Sequence, residues 1–511
     1  MHAPRAILGR RYRGGVHVLA AALLAGALAG PAAASPVLVQ TKPGAAPILR
    51  AAGARPVASR LAIWRTTSPA LVGRLRRAGL LRAAEPERSL ARADDASPFS
   101  DPLIDREWWL TAIGVRDLVP PVPGRPVTII DSGVDVAHEE FAGRPDVTVL
   151  NSQSTFARDE DHGTEVSSVV GAPANGVGVV GIYPQAVLRL WDASPFRSIT
   201  NSDAIAGLQA ATAAGPSVIN LSWGSPQRDP LLEQAVEAAV RGGSVLVAAA
   251  GNERQGGNPV IYPAALPHVL TVGASDQSNA LASFSSSSPG LDLIAPGVAI
   301  PVADPRVSPT SYSLADGTSF SAPIVAGAAA WIWTARPDLD AGQLFELIRR
   351  SARDLGPPGW DADTGFGLLD VPAALAAPAP IRDPQEPNDD VAEVKPGVTF
   401  STGGLLLTAP GRLAGRLDGF DDPRDVYRLR VPAHRRLRVT ATASDGRPVA
   451  VSIWNAGTTS VLGTSRNRVS AGPKTAAVAG GRTGFSGYVA LTVPAGRRTD
   501  YVLTVTATAA P

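Results

Sequence analysis

Gly317-Thr318-Ser319-Phe320-Ser321-Ala322-Pro323 stands between a polar loop and a long Ala-rich apolar run. A serine becomes a nucleophile when it is exposed at a turn, has a base beside it, and faces donors for a developing oxyanion. Gly317 permits a tight entry into the segment. Pro323 is expected within the first turn of the following helix, where a missing N–H costs little. Ser319 then falls at a helix N-terminus, beside free backbone N–H groups and the positive end of the helix dipole. An ordinary loop-to-helix cap has the same sequence signature, so the rest of the chain has to decide.

Counting narrows the choice of base. Histidine occurs at positions 2, 17, 138, 162, 268 and 434, and lysine only at 42, 395 and 474. The segment from about Asp101 to Leu375 holds no lysine, which excludes a Ser-Lys dyad within it. His138, His162 and His268 remain. His162 follows Asp161 and precedes Gly163-Thr164 and an apolar run to Val170, the polar and Gly-containing start a base needs at the mouth of a cleft. His138 reads as a solvated or capping loop histidine, and His268 as a structural residue opening a strand. The best carboxylate partner is Asp131, at the carboxyl end of the apolar strand Val127–Ile130, because open α/β sheets place their sites at such ends. Asp161 and Asp135 are the alternatives.

Around this constellation the pattern alternates. Ser217 to Leu221 and Ser244 to Ala249 read as buried strands, Leu231 to Val240 as an amphipathic helix, and Ser321 to Thr334 as a helix apolar nearly all round. Strands alternating with helices predict a doubly wound, mostly parallel α/β sheet. The Pro/Ala-rich stretch Pro372 to Pro384 breaks that pattern. Beyond it the period is two, with Tyr427, Leu429 and Val431, then Leu437, Val439 and Ala441, then Tyr501, Leu503 and Val505 on one face each. That predicts a separate C-terminal β-sandwich.

Composition sets the bounds. A chain of 511 residues with 45% hydrophobic residues supports two or three folded units. A formal charge of +2 with scattered arginines gives no electrostatic case for nucleic acid. The absence of cysteine removes thiol nucleophiles, thiolate metal sites and disulfides together. Arg5, Arg10, Arg11 and Arg13, the apolar stretch Val16 to Gly30, and Pro31-Ala32-Ala33-Ala34-Ser35 have the layout of a secretory signal cut after Ala34. The chain is therefore expected outside the cell, with no membrane segment once residues 1–34 are gone.

Three segments resemble the signatures of the subtilisin-like serine proteases: Val127-Thr128-Ile129-Ile130-Asp131-Ser132-Gly133, Asp161-His162-Gly163-Thr164 and the opening heptapeptide. They occur in that family's order, Asp, His, Ser. The resemblance covers roughly Asp101 to Leu375 and extends to Ala295-Pro296-Gly297 and Gly365-Phe366-Gly367-Leu368-Leu369-Asp370. It implies Asp131, His162 and Ser319 as a catalytic triad working through an acyl-enzyme. In Ala249-Ala250-Gly251-Asn252 it implies Asn252 as an oxyanion donor, and in Asn220-Leu221-Ser222-Trp223-Gly224 it implies Ser222, Trp223 and Gly224 as substrate-binding residues, Trp223 walling the main specificity pocket. The chemistry requires no cofactor. Calcium sites stabilise many relatives, but no ligand motif stands out here, so no metal is assigned. One departure is Glu165, with Ser167 and Ser168, where relatives carry a second histidine and small residues; it questions the packing of that helix more than proton transfer.

Residues 35–99 occupy the place of the family's propeptide and linker, implying an intramolecular inhibitor released by a cut between about Arg92 and Asp101. Residues 100–376 form the peptidase domain and 377–511 the sandwich. In the latter, Glu386-Pro387-Asn388-Asp389 and Asp425-Val426-Tyr427 resemble the bacterial pre-peptidase C-terminal domain, a small β-sandwich appended to secreted proteases. The expected function is a secreted endopeptidase acting on proteins. A binding scaffold on an inactive protease fold is the rival. A lipase fits poorly, because no Gly-x-Ser-x-Gly elbow precedes the helix.

Overall fold

Continuous apolar runs of four to seven residues make strands buried on both faces, and these form the centre of the molecule. A computed structural model describes residues 37–86, 99–151, 161–194, 198–383, 386, 388, 405–419, 421–422, 424–465, 471–494 and 497–510. The expected signal segment, most of the expected maturation stretch, Pro387 and Asp389 lie outside the described residues. The chain divides into two compact units, residues 1–96 and 97–511.

In the first unit β1 (Val37–Thr41), α1 (Ala46–Ala51), β2 (Arg55–Ala58), β3 (Ile63–Thr66), α2 (Pro69–Arg77) and β4 (Leu81–Pro86) build an antiparallel sheet of order β2-β3-β1-β4. Val39, Leu49, Trp64, Leu71 and Leu75 fill its core. α2 begins where Ser68 accepts a hydrogen bond from the Leu71 N–H, with Pro69 just inside the helix. A 3₁₀ turn at Ser59–Leu61 and a left-handed Ala62 (φ 52°) separate β2 from β3.

The second unit opens with α3 (Trp108–Ala112), β5 (Val127–Asp131), β6 (Val147–Val149), α4 (His162–Gly171), β7 (Leu188–Asp192), α5 (Asn201–Ala213), β8 (Val218–Leu221), α6 (Pro230–Arg241), β9 (Val245–Ala249), β10 (Val269–Ser275) and β11 (Leu293–Pro296). The seven strands form one parallel sheet of order β11-β10-β9-β8-β5-β7-β6, the expected doubly wound architecture. A hairpin of β12 (Ile300–Ala303) and β13 (Tyr312–Ala315) leads into α7 (Thr318–Ala335), followed by α8 (Ala341–Ser351) and α9 (Val371–Ala376). α7 is buried on all sides from Phe320 to Trp333, which its Ala and Gly content makes sterically feasible. At Gly327 a Cβ would stand 2.1 Å from Ile182 Cγ2. The Pro/Ala-rich stretch is not wholly irregular: Asp370 caps α9 through the Ala373 N–H, and Pro372 sits in its first turn, where proline is tolerated.

The C-terminal module packs a five-stranded sheet against a four-stranded one. The first holds β14 (Leu406–Leu407), β16 (Arg424–Val431), β18 (Ala450–Asn455), β19 (Val461–Thr464) and β21 (Phe485–Thr492). The second holds β15 (Gly411–Asp418), β17 (Arg435–Ala443), β20 (Lys474–Ala479) and β22 (Arg498–Ala509). Tyr427, Leu429, Val431, Leu437, Val439, Tyr501 and Leu503 share its core, as the period of two requires. The two motifs noted in this region meet, since the Val426 N–H donates to the Asn388 carbonyl at 2.8 Å.

Candidate active site

Asp131 ends β5 and His162 begins α4, and two glycines bring them together. Gly133 has φ 88°, turning the chain directly after the strand. At Gly163 a Cβ would lie 2.0 Å from the Gly133 carbonyl oxygen, so only glycine lets α4 start on that turn. The Gly163 N–H also donates to Ser132 Oγ at 3.0 Å. The result is a 2.7 Å hydrogen bond between His162 Nδ1 and Asp131 Oδ1, with Asp131 1% exposed and the imidazole 35% exposed. The far face of the ring packs on Phe320, ring centres 5.8 Å apart, which places His162 beside the start of α7.

Ser319 lies in the first turn of α7 and is half-buried. Its Oγ donates to the Ser222 carbonyl at 3.1 Å, and Ser222 Oγ donates back to the Ser319 carbonyl at 2.8 Å. That carbonyl is free because Pro323 lies in the second turn of α7, not the first as expected, and the hydrogen bond it cannot donate is the one that would end on Ser319. The Ala295-Pro296-Gly297 segment backs this corner. Gly297 accepts the Gly317 N–H at 2.8 Å, and a Cβ on Gly297 would meet Ser321 Oγ at 2.3 Å.

Asn252 follows β9 across the cleft. Its Oδ1 accepts from the Thr318 N–H at 2.9 Å and from Thr318 Oγ1 at 3.0 Å. With the carbonyl oxygen thus engaged, the amide can only donate through Nδ2, toward Gly317. Gly317 has φ 149°, and a Cβ there would crowd Nδ2 at 3.4 Å. Thr318 is a site residue that sequence reasoning passed over, although it lies within the deciding heptapeptide.

Ser222, Trp223 and Gly224 leave the end of β8. Gly224 lets the chain pass close to its neighbour, since a Cβ would sit 2.4 Å from Ile261 Cγ2, and Ser225 and Tyr262 exchange both backbone hydrogen bonds there. Trp223 Nε1 donates to the Ile130 carbonyl at 2.7 Å. Its ring lines a cavity of about 340 Å³ together with Ile199, Ala204, Leu232 and Tyr262. Those four were not singled out from sequence, because they come from separate elements and carry no motif.

The rivals for each role have other occupations. His138 is fully buried rather than solvated, and it caps as the alternative reading expected: Nδ1 accepts the Glu140 N–H at 3.3 Å, with Nε2 3.0 Å from the Ser311 carbonyl. His268 stands directly before β10, 3.4 Å from Glu386. Asp161 pairs with Arg306 at 2.7 Å. Asp135 Oδ1 accepts the Ala137 N–H.

The electrostatics centre on Glu165. α4 keeps its packing despite the three departures, because Ser168 Oγ donates to the Glu165 carbonyl and accepts the Ala303 N–H, tying α4 to β12. Arg306 gathers Asp161 (2.7 Å), Asp304 (2.7 Å) and Glu165 (3.4 Å). These three carboxylates could otherwise collect a metal ion, and a guanidinium already supplies the positive charge among them. A second group able to hold an ion, Asp383, Glu386 and Asp425, lies in the C-terminal module and takes no part in this cleft. Burial and the Asp161 charge push the Glu165 carboxyl up to about 7. For His162, burial opposes the charged form but is outweighed by the charge and hydrogen bond of Asp131, then by Glu165 and Asp161, and the ring is pushed up to about 9.

Residues 124–367 match the subtilase family profile. Subtilisin DY of Bacillus licheniformis is 36% identical over 253 residues, a stretch covering 48% of this chain and 89% of that protein. Subtilisin E of Bacillus subtilis (strain 168) is 37% identical over 254 residues, covering 48% of this chain and 65% of its relative. Among solved structures, fervidolysin from Fervidobacterium pennivorans, a keratinolytic enzyme related to subtilisin, is 20% identical with a TM-score of 0.49, over 87% of this chain and 85% of its own. The protein is a serine hydrolase of the peptidase class. It belongs to the subtilase family and is a subtilisin-like serine endopeptidase.

Proposed function

We propose that this endopeptidase is exported and cuts protein substrates through Ser319, His162 and Asp131 by way of an acyl-enzyme. The observation that carries the reading is the 2.7 Å bond from His162 Nδ1 to the buried Asp131, which leaves Nε2 as the free nitrogen of a ring packed against Phe320, the neighbour of Ser319. A substrate strand added alongside Ser222-Trp223-Gly224 brings its own N–H to the Ser222 carbonyl and competes with the Ser319 hydroxyl for it. The released hydroxyl passes its proton to His162 as Oγ attacks the scissile carbonyl. Asp131 stabilises the imidazolium. Asn252 Nδ2 and the Ser319 N–H hold the oxyanion, the first oriented by Thr318 and the second left without an i−4 partner by its place in the first turn. His162 then protonates the leaving amine, and water resolves the ester by the reverse path.

The first unit serves as the propeptide, an intramolecular inhibitor until cut. Asp101 supports the position of that cut: it is 1% exposed, and its Oδ1 accepts the N–H groups of Asn175, Gly176 and Val177. Cleavage that preserves the fold falls before it. Export accords with the signal-like N-terminus, and no helix among the described residues is long and apolar enough to cross a membrane. Ser319→Ala is expected to abolish both casein hydrolysis and labelling by serine-reactive sulfonyl fluorides; unchanged turnover would sink the assignment.

A further inference from the structure

A fully buried arginine of the peptidase does not serve its own domain alone. Arg349, on α8, is 1% exposed and pairs with Asp292 (2.9 Å) and Glu346 (3.0 Å) inside the peptidase. Its Nη2 reaches across to Asp421 (3.0 Å) and Asp418 of the C-terminal module. All four carboxylates are at most 6% exposed. From the sandwich side Arg498 also binds Asp418 and lies 3.6 Å over the ring of Phe366, a peptidase residue whose ring centre is 5.2 Å from the Arg349 guanidinium. One aromatic ring is thus clasped by an arginine from each side of the junction. Around the rim Arg416 meets Asp500 (3.2 Å) and Glu346 (3.7 Å), and Arg350 meets Asp500 (3.5 Å).

We propose that the β-sandwich is a permanent partner of the peptidase, locked to it by the Arg349 cluster, so that the working enzyme keeps its C-terminal module and the two unfold together. A module discarded on maturation would need only a linker and a polar, separable contact. Here its removal would take Asp418, Asp421 and Arg498 from the cluster and open Arg349, Asp292 and Glu346 to water at once. Buried ion pairs are costly to form and costlier to break from one side, so this surface is built to stay covered. Burial, with the Asp292 charge next, pushes the Asp421 carboxyl well above the usual range.

The test uses the full chain as secreted, inhibited with a sulfonyl fluoride to stop self-digestion. Intact mass of the active species is expected to include the residues of β22; an active species ending near residues 376–383 would overturn the proposal. Calorimetry of residues from the second unit is expected to give one cooperative transition. Asp418→Asn should split it or lower its onset by roughly 5–10 °C, the response to one lost partner of a buried pair. Asp500→Asn, at the rim, is the milder variant should Asp418→Asn fail to fold, with a shift of roughly 1–3 °C expected. Two independent wild-type transitions, or variants that leave the unfolding profile in place, would refute the lock.

Discussion

Replacing Glu165 by glutamine removes a carboxylate one turn from His162, the proposed base, and the consequence can be followed through the pH profile. With His162 pushed up to about 9, the imidazole is mostly protonated near neutrality, so kcat/KM should climb about tenfold per pH unit until it levels near pH 9. A unit charge roughly 6 Å away, at an effective dielectric constant of about 40, contributes about 1.4 kcal/mol, or roughly one pH unit. Arg306 offsets part of that field, leaving about half a unit. Glu165 itself titrates near 7, so below that pH wild type and Glu165→Gln carry the same charge beside His162. The two curves should therefore converge below about pH 6, converge again on the alkaline plateau, and separate by about threefold near pH 8, the variant being faster. Arg306→Ala should displace the limb the other way. The assay is kcat/KM on an uncharged peptide anilide from pH 5.5 to 10.5, normalised by active-site titration. Superimposed curves, or a variant shifted to the alkaline side, would refute the assignment of Glu165 as a field on the base.

Thr318→Val removes one of the two donors that fix the Asn252 amide. The loss of about 0.5–1.5 kcal/mol should appear as a roughly two- to twelvefold fall in kcat with KM little changed, measured on the same anilide. Asp101→Ala leaves the Asn175 and Gly176 N–H groups without their acceptor, while Val177 keeps Asn175 Oδ1, and should lower stability by about 2–3 kcal/mol in thermal unfolding, without altering kcat of the folded enzyme. The only sulfur in the chain is that of Met1, and the residue beside Ser319 is Phe320. Hydrogen peroxide at concentrations that convert exposed methionine to sulfoxide should accordingly leave activity intact; rapid loss would point to damage at an unforeseen group.

The strands that lead into the candidate site were legible because each is an unbroken apolar run: Val127–Ile130 becomes β5, and Ser217–Leu221 and Ser244–Ala249 become β8 and β9 with one residue trimmed from each start. Asp131, His162, Asn252 and Ser319, the proposed site residues, could be singled out because each sits in a short motif whose glycines have local steric reasons. Of the two readings of His138, capping holds and solvation does not, since nothing adjacent in sequence announces Tyr312 and the Ser311 carbonyl, which arrive from more than 170 positions away and bury it. Arg306 and Arg349 were invisible for the same reason: a lone arginine among many declares no partner until the fold supplies one. Pro323 was displaced by a turn because the helix starts earlier than its apolar run, at Thr318.

The Arg349 cluster also fixes an order of events during synthesis. Asp292 and Glu346 precede Arg349, but Asp418, Asp421 and Arg498 are translated up to about 150 residues later, roughly 8–30 s at ordinary elongation rates. Throughout that interval a chain already holding Asp131, His162, Asn252 and Ser319 lacks half the charges of the cluster. The junction with the sandwich thus closes only after the strand that carries Arg498 has been made.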